Sequence, residues 1–86
     1  MSEVRPARHV VFYTKPGCHL CEQAEDLLDD LRAEIDLTVD KRDITADLAL
    51  FERYKYEIPV ITLDKGGSIS GRINVGSLRQ ALRLDR

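Results

Sequence analysis

A chain of 86 residues, 43% hydrophobic and 33% charged, reads as one small folded domain. A net charge of −2 with no basic stripe argues against a nucleic-acid partner. The opening Met1-Ser2-Glu3-Val4-Arg5 leads into no apolar run of signal-peptide length, and no segment is long enough to span a membrane. The expectation is therefore a cytoplasmic protein with no membrane attachment.

Residues 1–8 read as a flexible lead, and residues 9–86 as the domain. Val10-Val11-Phe12-Tyr13 is apolar at consecutive positions, the pattern of a central strand buried on both faces. Lys15-Pro16-Gly17 breaks it. Leu20, Ala24, Leu27, Leu28, Leu31 and Ile35 then recur at helical spacing, with Glu22, Glu25, Asp26, Asp29 and Asp30 largely on the opposite face. This helix is predicted over about Cys18 to Ala33.

Leu37 and Val39 alternate with polar residues and predict a second strand through Arg42. Thr45 is placed to cap a helix carrying Leu48, Leu50, Phe51 and Tyr54, which must end before Pro59. Pro59 to Leu63 reads as a strand, Lys65-Gly66-Gly67 as a hairpin turn, and Ser68 to Ile73 as the return strand. Asn74 or Ser77 is placed to cap a last helix with Leu78, Ala81 and Leu82. The order β-α-β-α-β-β-α predicts an α/β fold: a four-stranded mixed sheet flanked by helices on both faces.

The chemistry is concentrated in Cys18-His19-Leu20-Cys21. A disulfide closing so short a loop adds little stability, so these cysteines are not a structural staple. The pair sits where the first strand turns into the first helix. There, backbone N–H groups lack internal partners and the helix dipole is positive, and both favour a thiolate. Residues three apart on a helix share a face, with Cα atoms roughly 5–6 Å apart, which is within disulfide range. Cys18, nearer the loop, is expected to attack a substrate disulfide, and Cys21, one turn in, to resolve the mixed disulfide. Two other readings stand beside this one. The cysteines would serve as small core hydrophobes, or as half of a metal site shared between two chains.

These residues resemble a known family. Lys15-Pro16-Gly17-Cys18-His19-Leu20-Cys21 after an apolar strand is similar to the active-site segment of glutaredoxins. Tyr56-Glu57-Ile58-Pro59-Val60 looks like the cis-proline segment of the thioredoxin superfamily, and Lys65-Gly66-Gly67 like the hairpin that follows it. The likeness spans about residues 9–84 and is greatest to small glutaredoxin-like proteins.

The resemblance implies a thioredoxin-like fold and a dithiol–disulfide oxidoreductase. It implies that Pro59 is cis beside the cysteines and that the backbone of Ile58 faces the substrate. It gives Lys15 the role of anchoring a carboxylate of glutathione and favouring the Cys18 thiolate. His19 stands where classical glutaredoxins have proline, and as an imidazolium it would stabilise the thiolate. The glycine pair and aspartates that hold glutathione in that family are replaced by Asn74-Val75-Gly76-Ser77-Leu78. That leaves Ser77 and nearby N–H groups for a carboxylate.

No bound cofactor or metal is expected, and glutathione is an electron-donor candidate with a degenerate site. The expected partners are disulfide-bearing proteins or small-molecule thiols, met by a monomer. The alternative function is a non-catalytic module that senses redox state or docks a partner. A third is a carrier in which two chains share zinc or an iron–sulfur cluster.

Overall fold

The computed structural model describes residues 7–84. Strand β1 (Ala7–Thr14) leads into helix α1 (His19–Leu31) and strand β2 (Asp36–Asp43). A single 3-10 turn (Ile44–Ala46) precedes helix α2 (Leu48–Tyr54). Strands β3 (Val60–Leu63) and β4 (Ser68–Ser70) form the hairpin, and helix α3 (Val75–Ala81) closes the fold. The four strands lie in the order β2-β1-β3-β4. β1 runs parallel to β2 and antiparallel to β3, and β3 is antiparallel to β4.

Strand alternation sorts the core into two sides. Val10 and Phe12 of β1 and Ile61 of β3 face a cluster completed by Cys21, Ala24, Leu28 and Leu31 of α1 and by Leu78 and Leu82. The apolar stripe of α1 is therefore what holds that helix to the sheet. Tyr13 and Val60 are register partners on the opposite side. There the Tyr13 ring stacks on Tyr54 of α2 at a centroid distance of 4.4 Å. The predicted α/β order and the helices on both faces are present.

Several boundaries differ from the sequence expectation, each for a local reason. β1 begins at Ala7, inside the stretch read as a lead. Arg8 is held there, its Nε and Nη2 donating to the Asp64 carboxylate at 3.0 and 2.8 Å and its Nη1 to the Leu82 carbonyl. The rest of the lead lies outside the described residues. Helix α1 starts at His19, because Cys18 is extended (φ −97°, ψ 108°) and serves as its cap. It ends at Leu31, and the chain turns there so that Ile35 is buried.

Thr45 is not the cap of α2. Fully buried Ile44 pulls its segment into the 3-10 turn capped by Asp43, whose carboxylate accepts from the Thr45 amide at 2.8 Å. Asp47 caps α2, accepting from the amides of Ala49 and Leu50 at 2.9 and 3.2 Å. β4 is shorter than the predicted Ser68 to Ile73. Gly71 adopts φ 76°, a left-handed conformation that strains other residues, and turns the chain off the sheet.

Candidate active site at the end of the sheet

The strand register gathers one end of the sheet. Thr14, at the exit of β1, pairs with Asp43 at the exit of β2. Its neighbour Tyr13 pairs with Val60 at the start of β3, and Val60 pairs with Ser70 at the exit of β4. The loop to Cys18, the segment ending in Pro59 and the chain leading to α3 therefore all leave the sheet from this end.

The sharp reversal from β1 into α1 passes through Lys15-Pro16-Gly17, where Gly17 has φ 76°. That turn delivers Cys18 as the cap of a 13-residue helix. Its Sγ accepts the Cys21 N–H at 3.2 Å, and its carbonyl accepts the Glu22 N–H at 3.0 Å. Cys18 and Cys21 are joined in a disulfide, with Cα atoms 5.1 Å apart. Their surroundings differ. Cys21 is 1% exposed within the core, whereas Cys18 is half-buried at its margin. The sulfur that can meet another molecule is thus the one at the unsatisfied, positive end of the helix.

The Ile58–Pro59 peptide bond is cis. Pro59 is fully buried, and its carbonyl accepts the Gly71 N–H at 3.0 Å, which ties this segment to the exit of β4. Ile58 is half-buried and packs against the same core cluster as Cys18.

The other predicted site residues are placed less directly. Lys15 is exposed and lines a cavity of about 260 Å³ with Gly17, Glu22, Glu25 and Lys41. Glu25 binds Lys41 at 3.0 Å, and Lys15 has no ion pair among the described residues. His19 is exposed and its Nε2 lies 3.1 Å from the Gln23 side-chain amide nitrogen. The contact joins two exposed residues one turn apart on α1.

Ser77 is engaged in a capping box. Asn74 Oδ1 accepts the Ser77 N–H at 2.8 Å, and Ser77 Oγ accepts the Asn74 N–H at 3.1 Å. The Ser77 hydroxyl also donates to the Asn74 carbonyl at 3.0 Å, so its proton is committed within the helix cap. Among the described residues no three His, Cys, Asp or Glu side chains group to hold a metal ion. None of the described helices is long and apolar enough to cross a membrane.

Two features near the site went unread in the sequence. One is the Tyr13–Tyr54 stack, in which burial and then the neighbouring Tyr54 raise the Tyr13 phenol above its ordinary value. The other is Asp43, whose carboxyl is held below the usual range, first by the Thr45 hydroxyl and then by its amide. A stack between distant strand and helix residues leaves no periodic trace. Asp43 and Asp47 did carry a readable signal, since aspartate is as good a cap as threonine.

The sheet order, with the cysteine pair at the first strand–helix turn and Pro59 ahead of β3, is that of a thioredoxin-like fold. A family profile described as Glutaredoxin-like domain (DUF836) matches residues 9–83, and the chain belongs to that family. The X-ray structure of target protein XcR50 from X. campestris is similar, with 27% identity and a TM-score of 0.74 over 90% of this chain and 99% of that one. Protein Ne2328 from Nitrosomonas europaea has 20% identity and a TM-score of 0.73, over 94% and 98% of the two chains. A variant thioredoxin from Halobacterium salinarum NRC-1 shares the fold at 20% identity and a TM-score of 0.71, over 90% of this chain and 73% of its own.

Proposed function

We propose that this protein is a thiol–disulfide oxidoreductase acting on protein or small-molecule disulfides. The observation that carries the reading is the asymmetry of the cysteine pair. Cys18 is a half-buried helix cap whose sulfur receives the Cys21 amide, while Cys21 is buried behind it at disulfide distance.

In the reduced protein, the Cys18 thiolate attacks one sulfur of the substrate disulfide. The substrate S–S bond breaks, and its second sulfur leaves as a thiolate that takes up a proton. The Cys21 thiol then loses its proton and attacks the Cys18 sulfur. The mixed disulfide breaks, the substrate's other sulfur leaves as a thiolate, and Cys18 and Cys21 are left joined. Two electrons pass from the dithiol to the substrate. Thiols of a donor, glutathione among the candidates, return the pair to the dithiol by the reverse exchange.

On this reading Lys15, three residues before Cys18 and in no ion pair among the described residues, supplies positive charge to the attacking cysteine, and Ile58 supplies backbone to the substrate. The protein acts as a cytoplasmic monomer. Ser77, which closes the α3 capping box, and the nearby N–H groups are the candidates for a substrate carboxylate.

Trapping tests the proposal. With the reduced Cys21→Ser protein and a peptide disulfide, intact mass should rise by one peptide chain on Cys18, and the adduct should persist. An unmodified protein under conditions where wild type turns over would contradict it.

A further inference from the structure

We infer that Tyr54 is a positioning residue for the substrate-facing segment Glu57-Ile58-Pro59, acting through the Tyr13 ring at one end and through its own carbonyl at the other. The inference rests on the oxidoreductase reading, in which substrate lies along Ile58 and Pro59.

Helix α2 has no fully buried residue, so packing alone holds it weakly to the sheet. Its last residue is the exception to that looseness. The Tyr54 ring lies on the Tyr13 ring at 4.4 Å and 25°, with the Arg53 guanidinium 5.2 Å from the Tyr54 centroid. Tyr13 belongs to β1 and is the register partner of Val60, the residue after Pro59. The Tyr54 carbonyl accepts two N–H groups, from Glu57 at 2.8 Å and from Ile58 at 3.1 Å. One residue thus joins the sheet end to the turn that presents Ile58.

This has a chemical consequence. The Ile58 N–H is already bonded within the protein, whereas its carbonyl accepts no backbone N–H among the described residues. A substrate strand is therefore met by one fixed acceptor, whose direction depends on the turn that Tyr54 closes. Loosening the stack leaves Cys18 and its cap untouched but lets that acceptor wander. The loss should appear in substrate binding and not in thiol chemistry.

The test compares wild type, Tyr54→Phe and Tyr54→Leu in steady-state reduction of a fluorogenic peptide disulfide, with dithiothreitol as reductant. Iodoacetamide alkylation of reduced Cys18 and amide exchange of Glu57 and Ile58 are measured on the same proteins. Tyr54→Leu should raise KM about three- to tenfold, the scale of one hydrogen bond's net worth. It should leave kcat and alkylation within about twofold of wild type. The two amides should exchange faster, and Tyr54→Phe, which keeps the ring stack but loses the hydroxyl's bonds to Tyr13 and Arg53, should lie nearer to wild type than Tyr54→Leu does. An unchanged KM in Tyr54→Leu overturns the inference, as does a parallel loss of kcat, KM and alkylation rate. Should Tyr54→Leu fail to fold, Tyr13→Leu removes the other half of the stack and is judged by the same readouts. A wild-type protein that reduces no disulfide overturns the oxidoreductase reading itself, and amide exchange then decides whether the Tyr54 clamp exists apart from it.

Discussion

The backbone N–H of Cys21 donates to the sulfur of Cys18 across 3.2 Å, so the residue proposed to attack is also the residue that caps α1. Capping and chemistry are separable by substitution. A serine hydroxyl can accept the same amide, and an alanine cannot. Under reducing conditions Cys18→Ser should unfold in urea with a stability about 0.5–2 kcal/mol above that of Cys18→Ala. Both variants should be reduced to the uncatalysed background in disulfide turnover. Equal stabilities would remove the cap from the account, and residual turnover would remove Cys18 from the chemistry.

Arg8 and Asp64 predict a pH-dependent staple. The Arg8 side chain is 9% exposed, and its guanidinium ties β1 both to the carboxylate after β3 and to the carbonyl that ends α3. Asp64 also accepts the His9 N–H at 3.1 Å. The Arg8 side-chain hydrogen bond, foremost, holds the Asp64 carboxyl well below the usual carboxylate range. Its contribution is therefore present above the unfolded value of about 3.9, shrinks as pH falls beneath it, and is gone below the folded value. At pH 7, Asp64→Asn should lose about 1.5–3 kcal/mol, the range for hydrogen bonds to charged groups. Urea titrations from pH 7 downward should show the gap to wild type narrowing only in the acid range. A gap independent of pH would contradict the ionised pair.

Asp47 and Thr45 separate two assignments of the α2 cap. Asp47→Ala should cost about 1 kcal/mol, since its carboxylate satisfies the first amides of the helix. Thr45→Ala removes only a hydroxyl donated to Asp43, an exposed contact, and should cost less than about 0.5 kcal/mol. Chemical denaturation of the two variants decides the order, and the reverse order would restore Thr45 as the cap.

How much could be read from the chain follows from the range of each signal. Val10 to Tyr13 and the stripe from Leu20 to Ile35 are strong periodic patterns, and both elements lie close to where periodicity puts them, with Cys21 taking the buried place at the helix start that the stripe gave to Leu20. The stretch Asp43-Ile44-Thr45-Ala46-Asp47 holds three capping residues in a row of five, and local preference cannot rank them. The fully buried Ile44 decides, by a tertiary effect. Arg8 was invisible for the same reason, because its partner is 56 residues away.

The site divides similarly. The cysteine spacing and its place at a strand–helix turn were legible, and so was the proline segment once the family likeness was drawn. Asn74 and Ser77 were both legible as capping residues, and the reciprocal box that joins them uses both. The link from Tyr13 through Tyr54 to Ile58 depends on strand register and a helix end meeting, and no local pattern encodes it.

The central claim is that Cys18 works as an accessible, stabilised thiolate, and its most direct test is the rate of iodoacetamide alkylation of the reduced protein against pH, with the modified residue identified by mass. The account predicts alkylation at Cys18 before Cys21, with a midpoint well below the free-thiol value of about 8.5. A midpoint at or above that value, or preferential alkylation of Cys21, would contradict it.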